Sequence, residues 1–320
     1  MGLAAVILCA VVLGAAVAVS RYAFDGGASG IAVAVFRSVF IVVVLAVGLK
    51  VSSRSMKIPA ALFWMVALNG VLMGLMAYGN IGSVEFISVG LASLLFFTFP
   101  IIIAVLVMVL RIEHVSMMKV GAVMVAFVGL AIMLGVSLGN VDGCGIVLAL
   151  MGSVATAVNA ILVARHFRQI DVLALTLHFS LGATLSLVAI AIFLAEVRWP
   201  DTLGGWSGTV WVAIFQAIGT PLYFYAITKI GALKAGMVVN IQPVTSIFLA
   251  WLLFSEVLSA LQALGGVMVL LSIAFSGSEK CGGFGGLPNS VISAPAMKVR
   301  PSQIRIVATV SSASAAVKQS

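Results

Sequence analysis

Charge is what this chain lacks most. Asp, Glu, Lys and Arg make up 8% of its 320 residues, and only nine are acidic. A water-soluble globular protein carries roughly a quarter charged residues. The supply here could not cover a wetted surface, which excludes that class. Cysteine is equally sparse: Cys9, Cys144 and Cys281 fall in different layers of the expected topology, which argues against a disulfide framework, and no metal-ligand spacing joins them. The three histidines, His114, His166 and His178, are scattered over separate runs or loops. There is no glycine-rich phosphate loop, zinc motif or nucleophile elbow. No cofactor and no metal are therefore expected.

What the chain has in abundance is apolar length. It is 63% hydrophobic, with a mean hydropathy of +1.28. We count ten apolar runs, near 3–22, 31–49, 59–81, 86–110, 117–137, 143–164, 172–195, 207–228, 233–254 and 259–276. Runs of about 20 residues match the hydrocarbon layer as helices, which satisfy their own backbone hydrogen bonds. A membrane β-barrel would show short alternating segments instead. The fold class is thus all-α integral membrane, with ten transmembrane helices. Residues 277–320 regain Gly, Ser, Pro and Lys/Arg and read as a disordered cytoplasmic tail. Small residues in "GAAVAVS" resemble a signal-peptide cleavage point, but residues 1–20 contain no Lys or Arg. The first run is read as a span.

The few cations are unevenly placed. With the N-terminus in the cytoplasm, fourteen of the seventeen Lys and Arg fall on the cytoplasmic side, from Lys50, Arg54 and Lys57 to the tail. Arg21 and Arg198 alone lie outside, and Arg37 lies within a run. This is the asymmetry of the positive-inside rule. Both termini are expected in the cytoplasm, in a cell (inner) membrane. The net charge of +8 is a topology signal, so no nucleic acid is needed to explain it, although a basic tail could touch anionic lipid.

A duplication is written into the spacing. Pro100 precedes Glu113 by 13 residues, as Pro243 precedes Glu256, and Ser116 and Ser259 follow each Glu by three; each pair is 143 residues apart. Five runs precede the midpoint and five follow it, so the second copy must enter the bilayer upside down. The expected domains are a first five-helix repeat at 1–137 and a second at 138–276. The Glu-x-x-Ser steps read as helix starts at the water interface rather than as ligands. Pro100 and Pro243, well inside their runs, each remove a backbone donor and are expected to bend the helix.

The motifs "FTFPIIIAVLVMVLRIEHVSMMKVGAVMVAFVGLAIML" and "NIQPVTSIFLAWLLFSEVLSALQALGGVMVLLSIAF" resemble the EamA-type domain of the drug/metabolite transporter superfamily. The openings "VVLGAAVAVSRYAFDGGASGIAVAVFRSVF" and "LALMGSVATAVNAILVARHF" are similar to that family's first helices. "LRIEHVS" departs from its usual small residue and Gly before the Glu. The resemblance covers residues 3–276 and implies two tandem domains, ten helices and secondary transport, by export, of small metabolites or drugs. Any ATP-driven step would need another subunit.

Polar residues inside spans are costly and tend to face a bundle interior. Asn69, Tyr78 and Asn80 in the third run, Thr156 and Asn159 in the sixth, Gln216, Thr220, Tyr223 and Tyr225 in the eighth, and Asn240 and Gln242 in the ninth are the candidates. Converged, they would form a neutral hydrogen-bonding cavity for a small amphipathic or zwitterionic solute; separated, they are interhelical glue. Arg37 would need a carboxylate, a carbonyl or an anionic substrate group, or would snorkel to the interface. His178 could gate or carry a proton, or pack as a hydrogen-bonded neutral ring. Gly70 and Gly74, and Gly265–Gly266, mark close helix packing. The expected partners are a small-molecule solute and membrane lipid, with room for a homodimer. Two other readings remain open: an intramembrane lipid-modifying enzyme, and a non-transporting assembly or sensor protein.

The topology predicts that, with the native cysteines replaced, Asp142→Cys reacts with an impermeant maleimide from outside and Arg54→Cys from inside. Reversed accessibility in intact cells and inverted vesicles would overturn the charge argument.

Overall fold

The computed structural model describes residues 1–112, 115–136, 142–194, 197–254 and 257–278, and every regular element among them is a helix. These are α1 (Gly2–Asp25), α2 (Gly30–Val51), α3 (Phe63–Gly82), α4 (Val89–Phe96), α5 (Phe99–Val109) and α6 (Met117–Met133). They are followed by α7 (Gly143–His166), α8 (Val172–Leu194), α9 (Leu203–Ile230), α10 (Ala232–Val239), α11 (Ile241–Phe254) and α12 (Ala260–Ser278). Counting α4–α5 and α10–α11 as one stretch each, eight stretches among the described residues are long and apolar enough to cross a bilayer, and α6 and α12 are shorter apolar helices. The chain is a multi-pass membrane protein. Glu113, His114, Glu256, the 137/138 domain boundary and the tail from residue 279 lie outside the described residues.

The helix starts follow from local chemistry. Side-chain oxygens of Ser29, Ser88, Asp142 and Thr202 accept from the first free amides of α2, α4, α7 and α9. Such caps satisfy donors that lipid cannot. The two serines of the duplicated step do the same: Ser116 accepts from Lys119 N at 3.3 Å, and Ser259 accepts from Gln262 N at 3.2 Å. Gln262 Oε1 accepts from Ser259 N in return, closing a reciprocal box at the start of α12. Between α9 and α10 the chain turns at Gly231, whose φ of +84° a residue with a Cβ rarely adopts.

The long-run expectation fails at two places in an instructive way. The fourth run is divided at Phe97–Thr98 and the ninth at Asn240. Pro100 and Pro243 fall in the first turns of α5 and α11. There their missing N–H would have been unpartnered anyway, so they begin a helix rather than bend one. Both bounds of α10 lie 143 residues after those of α4, the interval already seen in the sequence.

Helix pairing has an internal correspondence. The most extensive contacts are α1 with α9, α3 with α7 and α8, α2 with α8 and α9, and α1 with α11; α5 and α4 lie against α7 as α11 and α10 lie against α1. Exchange α1–α6 for α7–α12 and these pairings map onto one another. Small residues make the approach close. A Cβ at Gly70 would stand 2.8 Å from Gly182 Cα, one at Gly74 2.7 Å from Ser186 Cβ, and one at Gly79 2.5 Å from Leu148 O. Gly265 meets Gly129 O in the same manner, bringing α12 onto α6. Large side chains such as Val47, Leu185, Ile192 and Leu261 point outward, as expected where the surroundings are lipid.

The connections are tied at both ends of the bundle. Ser29 N donates to Arg198 O (2.9 Å), Arg198 N to Ser29 Oγ (3.1 Å) and Asp201 N to Gly26 O (2.8 Å). At the other end Arg54 pairs with Asp171 at 3.4 Å and Arg168 Nε donates to Thr228 O at 3.2 Å. The exposed ion pair adds little stability; the backbone links fix where the helices enter.

Gly70→Val should lower the thermal unfolding midpoint in detergent, at a cost of about 1–3 kcal/mol, because its Cβ meets backbone rather than a yielding side chain. Gly121→Ala, with open space around its Cβ, should stay within about 0.5 kcal/mol of wild type. Equal melting of the two variants would refute the close α3–α8 seam.

Candidate functional site

A cavity of about 150 Å³ lies where α1, α2, α3, α7, α8 and α9 surround the two helix interruptions. Its polar lining comprises Arg37 and Ser38 from α2, Asn80 from α3, and Thr156 and Asn159 from α7. Gln216, Thr220 and Tyr223 from α9 and Gln242 from α11 complete it. The apolar wall is Phe96, Phe97 and Phe99 at the α4–α5 interruption, Phe224, Met73 and Met76, with aliphatic residues of α1 and α8. Six of the ten residues expected to bind or gate therefore share one surface: Asn80, Asn159, Gln216, Tyr223, Gln242 and Arg37.

Four do not. Asn69 is fully buried behind the wall, where its carboxamide holds that of Asn159: Asn159 Nδ2 donates to Asn69 Oδ1 at 3.1 Å, and Asn69 Nδ2 to Met65 O at 2.7 Å. Its position orients a lining residue. Tyr78 packs instead among Ile31, Ala34, Ala77 and Leu187. Asn240 stands at the α10–α11 interruption between Val239 and the Ile241 that precedes Gln242, and is not itself in the lining. His178 Nδ1 lies 2.8 Å from Ala174 O, one turn earlier in α8. That contact holds the ring against its own helix.

The interruptions are held as well as open. Thr98 Oγ1 donates to Leu95 O at 2.7 Å and meets Ser153 Oγ at 2.7 Å, fixing the α4–α5 step against α7. Thr220 Oγ1 reaches Gln216 Oε1 at 3.3 Å beside Pro221, a proline inside α9 that sequence reading passed over. Two buried polar atoms near the cavity have no hydrogen-bond partner among the described residues, Tyr223 Oη and Asn240 Oδ1. Buried polar groups are ordinarily paired, so these two atoms stand out as exceptions beside the cavity.

An aromatic column extends from the cavity wall. Phe224 in that wall meets Phe179 edge-on (centroids 5.4 Å apart, 83°), which meets Phe167 (5.5 Å, 84°), and all three are buried. This column runs toward the α7–α8 connection. Sequence reading named neither it nor Ser38. The compact "FFTFP" at 96–100, aromatic residues crowding a broken helix, was the legible signal for the apolar wall.

Residues 143–278 match the profile of the EamA-like transporter family. Relatives include two Bacillus subtilis proteins described as uncharacterized transporters. YoaV is 25% identical over 63% of this chain and 69% of its own length. YdfC is 24% identical over 62% of this chain and 65% of its own length. A Synechocystis protein of the same description is 25% identical over 62% of this chain, which spans 61% of that relative. A solved crystal structure superposes with a TM-score of 0.71 at 17% identity, covering 85% of this chain and 94% of the other. It supports the fold alone.

The amide pair generates a prediction. Asn159→Ala should destabilise the protein by about 1 kcal/mol by leaving Asn69 Oδ1 buried and unpartnered. In a double-mutant cycle with Asn69→Ala the costs should fall short of additive by more than about 0.5 kcal/mol. Additive thermal shifts would show the pair to be uncoupled.

Proposed function

We propose that this multi-pass chain, whose residues 143–278 are an EamA-like transporter domain, is a secondary transporter that moves small solutes by alternating access through its central cavity. The observation that carries the reading is the convergence of amides and hydroxyls from both halves on one cavity beside two broken helices. Broken helices free backbone groups at mid-membrane only where a cavity or neighbour satisfies them, and transporters use this arrangement at their binding sites. The interchangeable helix pairings and the 143-residue interval support two inverted five-helix repeats, at 1–137 and 138–276. Rocking of such halves would open the two ends in turn, with the Phe167–Phe179–Phe224 column the barrier on one side.

The resemblance to small-metabolite and drug exporters supports export, and the cation asymmetry supports a cell-membrane orientation with both termini in the cytoplasm. Polar binding residues would be Asn80, Asn159, Gln216, Tyr223 and Gln242, with Asn69 holding Asn159. His178 lies one residue before the barrier Phe179 and is proposed as part of that gate rather than as a ligand. Pro100 and Pro243 preset the starts of α5 and α11 at the interruptions.

Purified protein in liposomes tests the reading against a lipid-modifying enzyme and a non-transporting sensor. A screen of metabolite uptake and efflux should find solute movement without conversion. Gln216→Ala and Gln242→Ala should each reduce it about fivefold, the loss of one hydrogen bond's net contribution. Product formation, or no movement of any solute, would reject the transporter reading; unchanged flux in both variants would reject the cavity as its route.

A further inference from the structure

Resting on that transporter reading, we propose that the solute is a small amphipathic monoanion whose carboxylate or phosphate group binds Arg37. Among the described residues that line the cavity, Arg37 is the one that carries a charge. The five acids described are exposed and lie at helix ends or in connections: Asp25, Glu85, Asp142, Asp171 and Asp201. Asp25 pairs with Arg21 and Asp171 with Arg54, while Asp142 caps α7. Arg37 has no hydrogen-bond or ion-pair partner among the described residues, yet its nitrogens are not among the sealed unpartnered atoms. The guanidinium is thus within a span, open to the cavity and uncompensated by this part of the protein.

That arrangement selects by charge. A guanidinium keeps its proton under all ordinary conditions and offers a planar fork of donors matched to carboxylate and phosphate oxygens. An ion taken out of water needs a counter-charge, and a charge-assisted hydrogen bond is roughly twice as strong as a neutral one. A cationic solute would be repelled; a neutral one would displace water and leave the charge uncompensated. The rest of the lining defines the rest of the solute. Asn80 and Gln216 can share the remaining oxygen lone pairs or a second polar group, while Phe96, Phe97 and Phe224 offer an apolar body its wall. A cavity of about 150 Å³ accommodates a ring-sized body, and one cation calls for one anionic group.

The test uses the full chain in phosphatidylcholine nanodiscs with four probes sharing a phenyl body: phenylacetate, phenylphosphonate, phenylacetamide and phenethylamine. Calorimetric titration should give the better of the two anions an affinity at least about tenfold above the amide and the amine. Which anion leads distinguishes carboxylate from phosphate chemistry. Arg37→Gln should level all four, and Arg37→Lys should restore part of the preference, guarding against a variant that merely fails to fold. Equal binding of amide and anions by wild type, or an intact preference in a folded Arg37→Gln, would overturn the proposal. So would loss of anion binding on adding phosphatidylglycerol with no solute crossing in matched liposomes, which would assign the guanidinium to a lipid headgroup. Movement of neutral solutes without anion preference would sink this inference and leave the transporter reading standing; no movement of any solute would end both.

Discussion

A polar group in hydrocarbon has no water to fall back on, and the structure is organised around that constraint. Backbone N–H and C=O groups must find partners within the protein, so the chain is helical, and its helix starts carry serine, threonine or aspartate caps. Where a helix is interrupted, side chains take over. Thr98 and Ser153 pin the α4–α5 step, and the proline that follows removes one donor that would otherwise need an acceptor. The same constraint makes the exceptions informative. Tyr223 Oη and Asn240 Oδ1, unpartnered among the described residues, and the Arg37 guanidinium all lie in or beside the central cavity.

Close approach of the helices follows from small residues rather than from apolarity. Lipid tails are as apolar as leucine, so burying a leucine between two membrane helices gains little over leaving it in lipid. What holds α3 on α8 is the absence of side chains at Gly70 and Gly182, where the two backbones meet. Gly79 and Gly152 do the same for α3 on α7, and Gly129 and Gly265 for α6 on α12. These seams set the positions of the helices, and so decide which residues of α2, α3, α7 and α9 reach the central space.

The cavity that results has a divided character. Its α4–α5 side is aromatic, and its α2 and α9 sides carry the guanidinium, amides and hydroxyls. Such a division matches the amphipathic solute proposed above, with an apolar wall for its body and polar residues for its head. The phenylalanine column beside it is built of packed rings, which can separate without leaving hydrogen bonds broken.

The sequence by itself determined the helical membrane class, the positions of the apolar runs, the capping serines at 116 and 259, and the 143-residue interval that reappears in α4 and α10. These are readable because length, capping chemistry and spacing are local properties of the chain. It located the polar candidates but not their company. Asn80 and Gln216 reach the cavity, while Asn69 supports from behind and Tyr78 packs among aliphatic residues. Nor did it show that the runs holding Pro100 and Pro243 divide just before them. Helices that are apolar on every side carry no stripe to say which face points inward, since protein interior and lipid demand the same side chains. Only tertiary packing, set by where glycines let backbones touch, decided which polar groups share a surface and left Arg37 facing it.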